Sequence, residues 1–156
     1  MSAKLPTIKA EIERSIAVKQ KLLGQAPAIE AIGAALVGVV RQGGTIYSCG
    51  NGGSACDAMH LTEELVFRYL RTRPGIRAHH FIDGPSITCW GNDVSFDGIF
   101  ERQTEVHVRK SDAQVLFSTS GNSANIIRAL QAAEKIGATT VALLGKGGGK
   151  ASGHAK

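Results

Sequence analysis

The sequence predicts an α/β protein with a central parallel sheet covered by helices on both faces. Two stretches with apolar residues at helical spacing open the chain. After them, four short β-rich runs alternate with segments long enough to hold helices, a pattern typical of parallel strands joined by crossover helices. The chain has 156 residues, 43% of them hydrophobic and 20% charged, as expected for one soluble domain over residues 1–156.

The two opening helices are predicted from apolar residues spaced three or four apart. The first face consists of Leu5, Ile8, Ile12 and Ile16. The second consists of Ile29, Ile32, Leu36 and Val40. This second helix follows Pro27 and ends at Gly43 and Gly44, because proline suits a helix start and glycine a helix end.

Strands are predicted over residues 45–49, 78–82, 113–119 and 139–145. The stretch CGNGGSACDAMHLTEE (49–64) follows the first of them. Ser54 precedes Asp57 by three residues, a capping-box spacing that predicts a helix from Ser54 to about Leu70. The sequence shows no internal repeat and no interdomain linker, and its one compositional shift is the Gly- and Lys-rich end.

The turn before this helix has two possible interpretations. Glycine at Gly52 and Gly53 would let the backbone approach a ligand, and the free N–H groups of the first helical turn favour an anion or hydroxyl groups. Asn51 and Ser54 would then offer polar side chains to that ligand. Alternatively, the glycines serve only a tight turn.

His60 and Glu64 lie four residues apart on the same predicted helix, so their side chains share one face. An imidazole and a carboxylate at this spacing can hold a divalent metal or move a substrate proton, but such a pair is also common on a solvated helix face. Glu63 is expected to be rotated away by about 100°.

A second constellation, STSGNSAN (118–125), lies between a predicted strand and a helix. Its hydroxyl groups belong to Ser118, Thr119, Ser120 and Ser123. The carboxyl end of a strand in a parallel sheet is where ligands bind. Lacking a Walker pattern, the loop suits a phosphate monoester held by hydroxyl and N–H groups; the alternative is a serine-rich cap and turn.

Other polar residues are weaker candidates. Asp93 in WGNDVSF is expected in a turn, where it would hold a substrate hydroxyl or cap a helix. His79 and His80 lie in a predicted strand, so at least one is expected to point into the core. His107 and His154 are not expected to act at a site. Met59 and Trp90 are expected to pack rather than to contact a cofactor.

Charge, cysteine content and hydropathy argue against several functional classes of protein. The net charge is +5, but lysine and arginine are spread along the chain, apart from the stretch 68–77, and aromatic residues are few. We therefore expect no nucleic-acid partner. The three cysteines form no CxxC pair and are expected to be reduced. With no signal peptide or membrane-length apolar run evident, the sequence suggests a cytoplasmic protein without a membrane partner.

Taken in order, GNGGSACDAMHLTEEL, RPGIRAHHFID, SITCWGNDVSFDGIFERQ, FSTSGNSANIIRALQAA and LLGKGGGKASG resemble the sugar isomerase (SIS) family. The resemblance is to the branch that acts on heptose 7-phosphates. It implies a flavodoxin-like, three-layer SIS domain and a homotetramer with active sites at subunit interfaces. The implied reaction converts sedoheptulose 7-phosphate to D-glycero-D-manno-heptose 7-phosphate through an enediol, the first step toward ADP-heptose for bacterial lipopolysaccharide core.

The same resemblance implies roles for individual residues. His60 and Glu64 match the family's zinc ligands, and Glu64 also matches the residue that acts on the substrate proton. The substrate-binding positions are matched by Asn51, Gly52, Gly53, Ser54, Asp93, Ser118, Thr119, Ser120 and Ser123.

The sequence departs from the family at its end. Family members continue into a strand and a long helix that bring a glutamine and a histidine to the zinc, whereas this sequence stops after the GKGGG loop. The chain is therefore expected to be a shortened working enzyme or a short form that binds sugar phosphate without efficient catalysis. A catalytically silent SIS module that binds a sugar phosphate, or a protein partner such as the DnaA initiator, is the alternative function. The loop from Lys146 to Lys156 is expected to be poorly ordered.

Overall fold

The computed structural model describes residues 5–155. They fall into two compact units, which divide along the chain after Ala34. The single domain predicted over residues 1–156 stays a prediction.

The first unit begins with helix α1 (Leu5–Leu22), continues through a short 3-10 helix (Leu23–Gln25) and enters helix α2 (Ala26–Arg41). The sequence predicted both helices. The apolar face of α1 is exposed on the single chain, by 45–55% at Ile8, Ile12 and Ile16. On α2, Ile29 is exposed, whereas the other predicted face residues, Ile32, Leu36 and Val40, are half-buried. The predicted face member Leu5 lies at the edge of the described residues, and its side chain is not among those described.

One finding differs from the expectation that no segment resembles a membrane span. The helical stretch Pro6–Arg41 is long and apolar enough to cross a membrane, judged by length and composition alone. A single stretch of this kind gives weak support, because helices of soluble proteins pass the same test. Glu30 lies near the middle of this stretch, and a charged side chain is unfavourable in a bilayer core.

The second unit contains a four-stranded sheet formed by β1 (Ile46–Gly50), β2 (Ala78–His80), β3 (Ala113–Ser118) and β4 (Thr139–Leu144). The strand order is β2-β1-β3-β4, and every pairing is parallel. The predicted α/β class is confirmed. Strand β2 is an edge strand of three residues, shorter than the stretch predicted over 78–82.

Helices cover both faces of this sheet. Helix α3 (Gly53–Val66) lies on one face, where the Ser48 hydroxyl of β1 donates to the Ala58 carbonyl at 2.8 Å. Helices α5 (Ile99–His107) and α6 (Ala124–Ile136) pack on the other, around a core that includes Cys49, Leu116 and Leu130. Helix α4 (Gly84–Asp93) precedes α5. These layers are the three-layer arrangement that the sequence predicted.

The expectation of a buried core histidine on β2 was wrong. His79 is exposed and His80 is half-buried. Because β2 is the edge strand, its side chains have neighbours on one side only. His79 contacts the rings of Tyr47 and His107, each with a centroid separation of 6.4 Å. Partial burial, the largest cause, and the neighbouring His80 and His107 lower the pKa of His79.

Candidate functional site

Two polar turns meet at the carboxyl edge of the sheet. Strands β1 and β3 are parallel neighbours, so the turn after Gly50 and the loop after Ser118 leave the sheet at the same edge. The Asn51 Nδ2 donates to Asn125 Oδ1 at 2.8 Å, and the Asn125 Nδ2 donates to Asn51 Oδ1 at 2.9 Å. The two turns that the sequence identified separately are therefore joined by a reciprocal amide pair.

The first turn is built on glycine for two physical reasons. A Cβ at Gly50 would lie 2.4 Å from the Ser54 carbonyl oxygen, so the start of α3 could not approach the strand this closely with any other residue. Gly52 has φ +56, which favours glycine. Gly52 is also the N-cap of α3, which starts at Gly53, and it makes no side-chain capping bond.

The predicted capping box of Ser54 and Asp57 was therefore wrong, because the helix begins one residue before Ser54 and glycine fills the cap position. Among the described residues, no side-chain hydrogen bond engages Ser54. Its half-buried hydroxyl is left available to a ligand beside the Asn51 side chain, whereas the Ser54 and Ala55 N–H groups already donate to the Asn51 and Gly52 carbonyls, each at 3.0 Å.

The second loop uses two of its hydroxyls to hold its own backbone. Ser118 Oγ accepts from the Gly121 N–H at 3.1 Å, and Ser120 Oγ accepts from the Asn122 N–H at 3.2 Å. Each hydroxyl keeps its proton to donate elsewhere. Ser123 is the N-cap of α6 but makes no side-chain capping bond, which leaves its hydroxyl for another partner. Turn formation and ligand binding are thus compatible at this loop.

The segment after β4 supports the loop from behind. The Ala151 N–H donates to the Gly121 carbonyl at 2.9 Å, and the Lys150 N–H donates to Asn122 Oδ1 at 3.0 Å. The expectation that residues 146–156 are poorly ordered was wrong for the described part. Gly149–Gly153 form a 3-10 helix whose Ala151 is fully buried, because the loop offers it hydrogen bonds and a packing surface. Lys156 lies outside the described residues.

The middle of α3 carries the candidate metal and acid-base residues. His60 Nε2 lies 3.2 Å from Glu64 Oε1, as the sequence spacing predicted. The Glu63 carboxylate also belongs to this group, since one ligand atom from each of the three residues lies within 4.8 Å of the others. The expectation that Glu63 is rotated away from the pair was wrong, because Glu63 is three residues from His60 and i, i+3 side chains are also neighbours on a helix.

A cleft opens beside this group. It has a volume of about 390 Å³ and is lined by Met59, His60, Thr62, Glu63, Val66, Phe67 and His80. His80 therefore shares a cleft with His60 and Glu63, although its position in sequence suggested a core side chain. The expectation that Met59 packs is only partly met, because Met59 is 42% exposed.

Helix α3 ends at Val66, four residues before the predicted end near Leu70. The Arg73 guanidinium binds the last turn, donating to the Glu64 carbonyl at 2.7 Å and to the Leu65 carbonyl at 2.8 Å. The sequence analysis did not single out Arg73. The signal was available in the arginine-rich stretch after the helix, because basic side chains near a helix end can satisfy its free carbonyls.

Asp93 is the last residue of α4, so the turn expected at Asn92 and Asp93 is helical instead. Its carboxylate accepts from Asn92 Nδ2 at 2.8 Å and from Cys89 Sγ at 3.6 Å. It does not cap a helix start. Asp83 and Ser95 perform that role for α4 and for the short 3-10 helix that follows it. In the described part of the chain, no hydrogen bond joins Asp93 to either polar turn.

Comparison with known proteins places this chain in a protein family. The chain matches the SIS domain family over residues 12–145. It is 42% identical to the phosphoheptose isomerase of Vibrio cholerae over 151 residues, which cover 95% of this chain and 79% of that protein. It is 47% identical to the phosphoheptose isomerase of Escherichia coli K12 over 128 residues, which cover 82% of this chain and 67% of that protein.

Solved structures give the same result. The phosphoheptose isomerase of Francisella tularensis superimposes with a TM-score of 0.94 at 30% identity, over 99% of this chain and 82% of that one. The phosphoheptose isomerase of Neisseria gonorrhoeae superimposes with a TM-score of 0.89 at 33% identity, over 96% of this chain and 79% of that one. Sequence and fold thus define a sugar isomerase domain. The chain belongs to the SIS family and, within it, to the phosphoheptose isomerases, which confirms the predicted family and the predicted enzyme class of aldose-ketose isomerase.

Proposed function

We propose that this protein converts sedoheptulose 7-phosphate to D-glycero-D-manno-heptose 7-phosphate through an enediol, as the first step toward ADP-heptose for lipopolysaccharide core. The main observation that supports this proposal is the Asn51–Asn125 pair, which joins the hydroxyl-rich loop to the glycine turn. The helix that follows this turn carries His60 and Glu64. One site then offers phosphate binding, hydroxyl binding and a base, which a sugar phosphate isomerase requires.

The loop after β3 is the proposed phosphate site. Ser118, Thr119, Ser120 and Ser123 donate hydroxyl protons to the phosphate oxygens, and the free N–H groups at the start of α6 add donors aligned with the helix dipole. The turn of Asn51, Gly52, Gly53 and Ser54 binds the sugar hydroxyls, with Asp93 as a further hydroxyl acceptor.

Glu64 is the proposed base. Moving a carbonyl from C2 to C1 requires removal of a proton from C1, formation of an enediol, and return of a proton to C2. A carboxylate whose side chain is 29% exposed can reach a ligand at the surface of α3 while its helix position fixes its direction. His60 Nε2 lies 3.2 Å from that carboxylate on the same helix face.

The pair of His60 and Glu64 fits two of the ligand positions of a zinc ion, one fewer than the three protein ligands of a catalytic site. Two ligand atoms on one tetrahedral zinc lie about 3.3 Å apart, from metal-ligand distances near 2.0–2.1 Å. His60 Nε2 and Glu64 Oε1 are 3.2 Å apart, so these two residues would hold the metal, with Glu63 close enough to contribute. Bound there, zinc would act as a Lewis acid toward the sugar oxygens.

We further propose a cytoplasmic homotetramer with active sites at subunit interfaces. The exposed apolar face of α1 supports this proposal, since Ile8, Ile12 and Ile16 are each 45–55% exposed on the single chain. Light scattering coupled to size exclusion tests the assembly. A monomer at micromolar concentration would contradict it.

The test of activity is incubation of the purified chain with sedoheptulose 7-phosphate, with and without added zinc, followed by detection of the aldose. We expect turnover that falls on chelation and returns with zinc. No aldose under either condition would reject the proposed reaction. Capture of DnaA by a protein without turnover would favour the alternative of a silent binding module.

A further inference from the structure

Asn125 is the last residue of the loop sequence STSGNSAN, and it was not predicted as a site residue. Its side chain is buried, with 2% exposure, and both of its amide hydrogen bonds to Asn51 span 74 residues of sequence. In a reciprocal amide pair, each side chain donates one hydrogen bond through its NH2 group and accepts one through its carbonyl oxygen. A buried partner that loses either function leaves an unsatisfied polar group.

The sheet alone does not hold the two turns together. The last paired residues of β1 and β3 are Gly50 and Phe117, and beyond them β3 pairs only with β4. In the part of the chain that the structure describes, the Asn51–Asn125 bonds are the side-chain hydrogen bonds that connect the first turn to the loop. Asn125 lies in the first turn of α6, so it has a rigid support from which to fix Asn51.

We propose that Asn125 is a positioning residue, which fixes the turn at Asn51 against the phosphate loop and thereby sets the affinity for the sugar phosphate. This inference rests on the proposed function, because it treats the two turns as the two ends of one ligand site. Asn125 acts through Asn51 and the loop, without contacting the reacting atoms.

The substitution Asn125→Asp tests the pair through pH. A neutral carboxyl can donate its O–H to Asn51 Oδ1 and accept from Asn51 Nδ2, which reproduces both bonds. A carboxylate can only accept, so it faces Asn51 Oδ1 without a proton between the two oxygens. Burial raises the pKa of a carboxyl group, so the neutral form should persist to a higher pH than in water. The variant should therefore bind ligand well at low pH and poorly at high pH.

The dissociation constant for sedoheptulose 7-phosphate is measured by calorimetry between pH 5 and pH 9 for the wild-type chain and the variant. Taking the ratio of the two constants removes the titration of the phosphate itself. We expect a ratio within about threefold at pH 5 and above about tenfold at pH 9, the cost of one unmade buried hydrogen bond. A ratio that stays constant with pH would overturn the proposal.

Gln114→Glu is the matched control. Gln114 is a fully buried amide on β3 that bonds to Thr104 of α5 and to Cys49 Sγ of β1, and within the described residues it makes no hydrogen bond to either turn. An introduced carboxylate there should lower the temperature of unfolding at high pH without a pH-dependent loss of affinity in the folded protein. An equal loss of affinity in this control would mean that general destabilisation explains the result, and would overturn the proposal.

A second variant covers the case in which Asn125→Asp unfolds at high pH. Asn125→Ala removes both bonds at every pH and should weaken binding by about tenfold throughout. Wild-type affinity in this variant would overturn the proposal. The two ideas can fail separately, because a wild-type chain that binds the sugar phosphate without turnover rejects the isomerase function and leaves the role of Asn125 to be judged from the binding ratios.

Discussion

The Arg73 guanidinium donates a 2.7 Å hydrogen bond to the carbonyl oxygen of Glu64, the residue that we propose as the base. The same side chain donates to the carbonyls of Leu65 and Pro74. The last turn of α3 is therefore closed by a charged side chain that arrives from outside the helix. The direction of the Glu64 side chain depends on that turn, so Arg73 links helix stability to the proposed chemistry.

Arg73→Gln should lower the free energy of unfolding by about 1–3 kcal/mol, because charge-assisted hydrogen bonds to helix carbonyls are lost. It should also lower kcat, because the turn that carries Glu64 would fray. Chemical denaturation and steady-state kinetics measure the two effects. Arg77→Gln is the control, since Arg77 donates to the Gly43 carbonyl at 3.1 Å, away from α3. Equal kcat losses in both variants would argue against this link.

Glu64→Gln should lower turnover by at least about a hundredfold, because the change keeps the shape of the side chain but removes both the base and a charged zinc ligand. The free energy of unfolding should change by no more than about 0.5 kcal/mol at this helix surface. Glu63→Gln is the matched control. It should weaken zinc binding without abolishing turnover. If Glu64→Gln unfolded the protein, Glu64 would be structural and the pair with His60 only a helix-surface contact.

Gly121→Ala should disrupt the phosphate loop. Gly121 has φ +63, and a Cβ there would lie 1.8 Å from the Gly148 carbonyl oxygen, so the supporting segment would have to move. We expect a loss of about 3 kcal/mol or more in unfolding free energy. Gly147→Ala is the control, since Gly147 has φ +80 but open space within 4 Å of its Cβ position, and it should cost only about 1 kcal/mol. Similar melting temperatures for the two variants would contradict the close packing of loop and segment.

Ser120→Ala should raise KM by about tenfold with a much smaller change in kcat, because the phosphate is bound equally in the ground state and the transition state. Inhibition by inorganic phosphate should weaken in parallel. Ser152→Ala provides the comparison, since it removes another local hydroxyl bond, to the Gly149 carbonyl at 2.9 Å, outside the loop itself. A fall in kcat at constant KM for Ser120→Ala would place Ser120 in the chemical step instead.

Cys49 should resist thiol reagents in the folded protein. Burial raises its pKa to about 12, and the residue is fully buried, so neither a thiolate nor access is available at about pH 8. In a variant with Cys56→Ser and Cys89→Ser, Cys49 is the remaining thiol. This variant should react with a disulfide reagent only after denaturant is added. Fast reaction in native buffer would show that the core around β1 opens readily.

Local patterns in the sequence were sufficient to predict the sheet, most of its helices and the two polar turns. The alternation of apolar runs and helical segments predicted the parallel sheet, because each pattern depends on residues close in sequence. The glycine turn and the serine loop were recognised from composition at strand ends. Strand β2 was predicted too long and α3 was extended to about Leu70, because edge exposure and the Arg73 contacts with the end of α3 are tertiary features.

The sequence by itself determined the parallel sheet, the family and the residue types at the proposed site. Only the tertiary structure decided which of those residues meet. Asn51 and Asn125 become partners because β1 and β3 are neighbours in the sheet, and no periodicity reports a contact across 74 residues. His80 reaches the cleft beside His60 because β2 lies at the edge of the sheet. Local propensity specifies elements, whereas strand order specifies which side chains share a site.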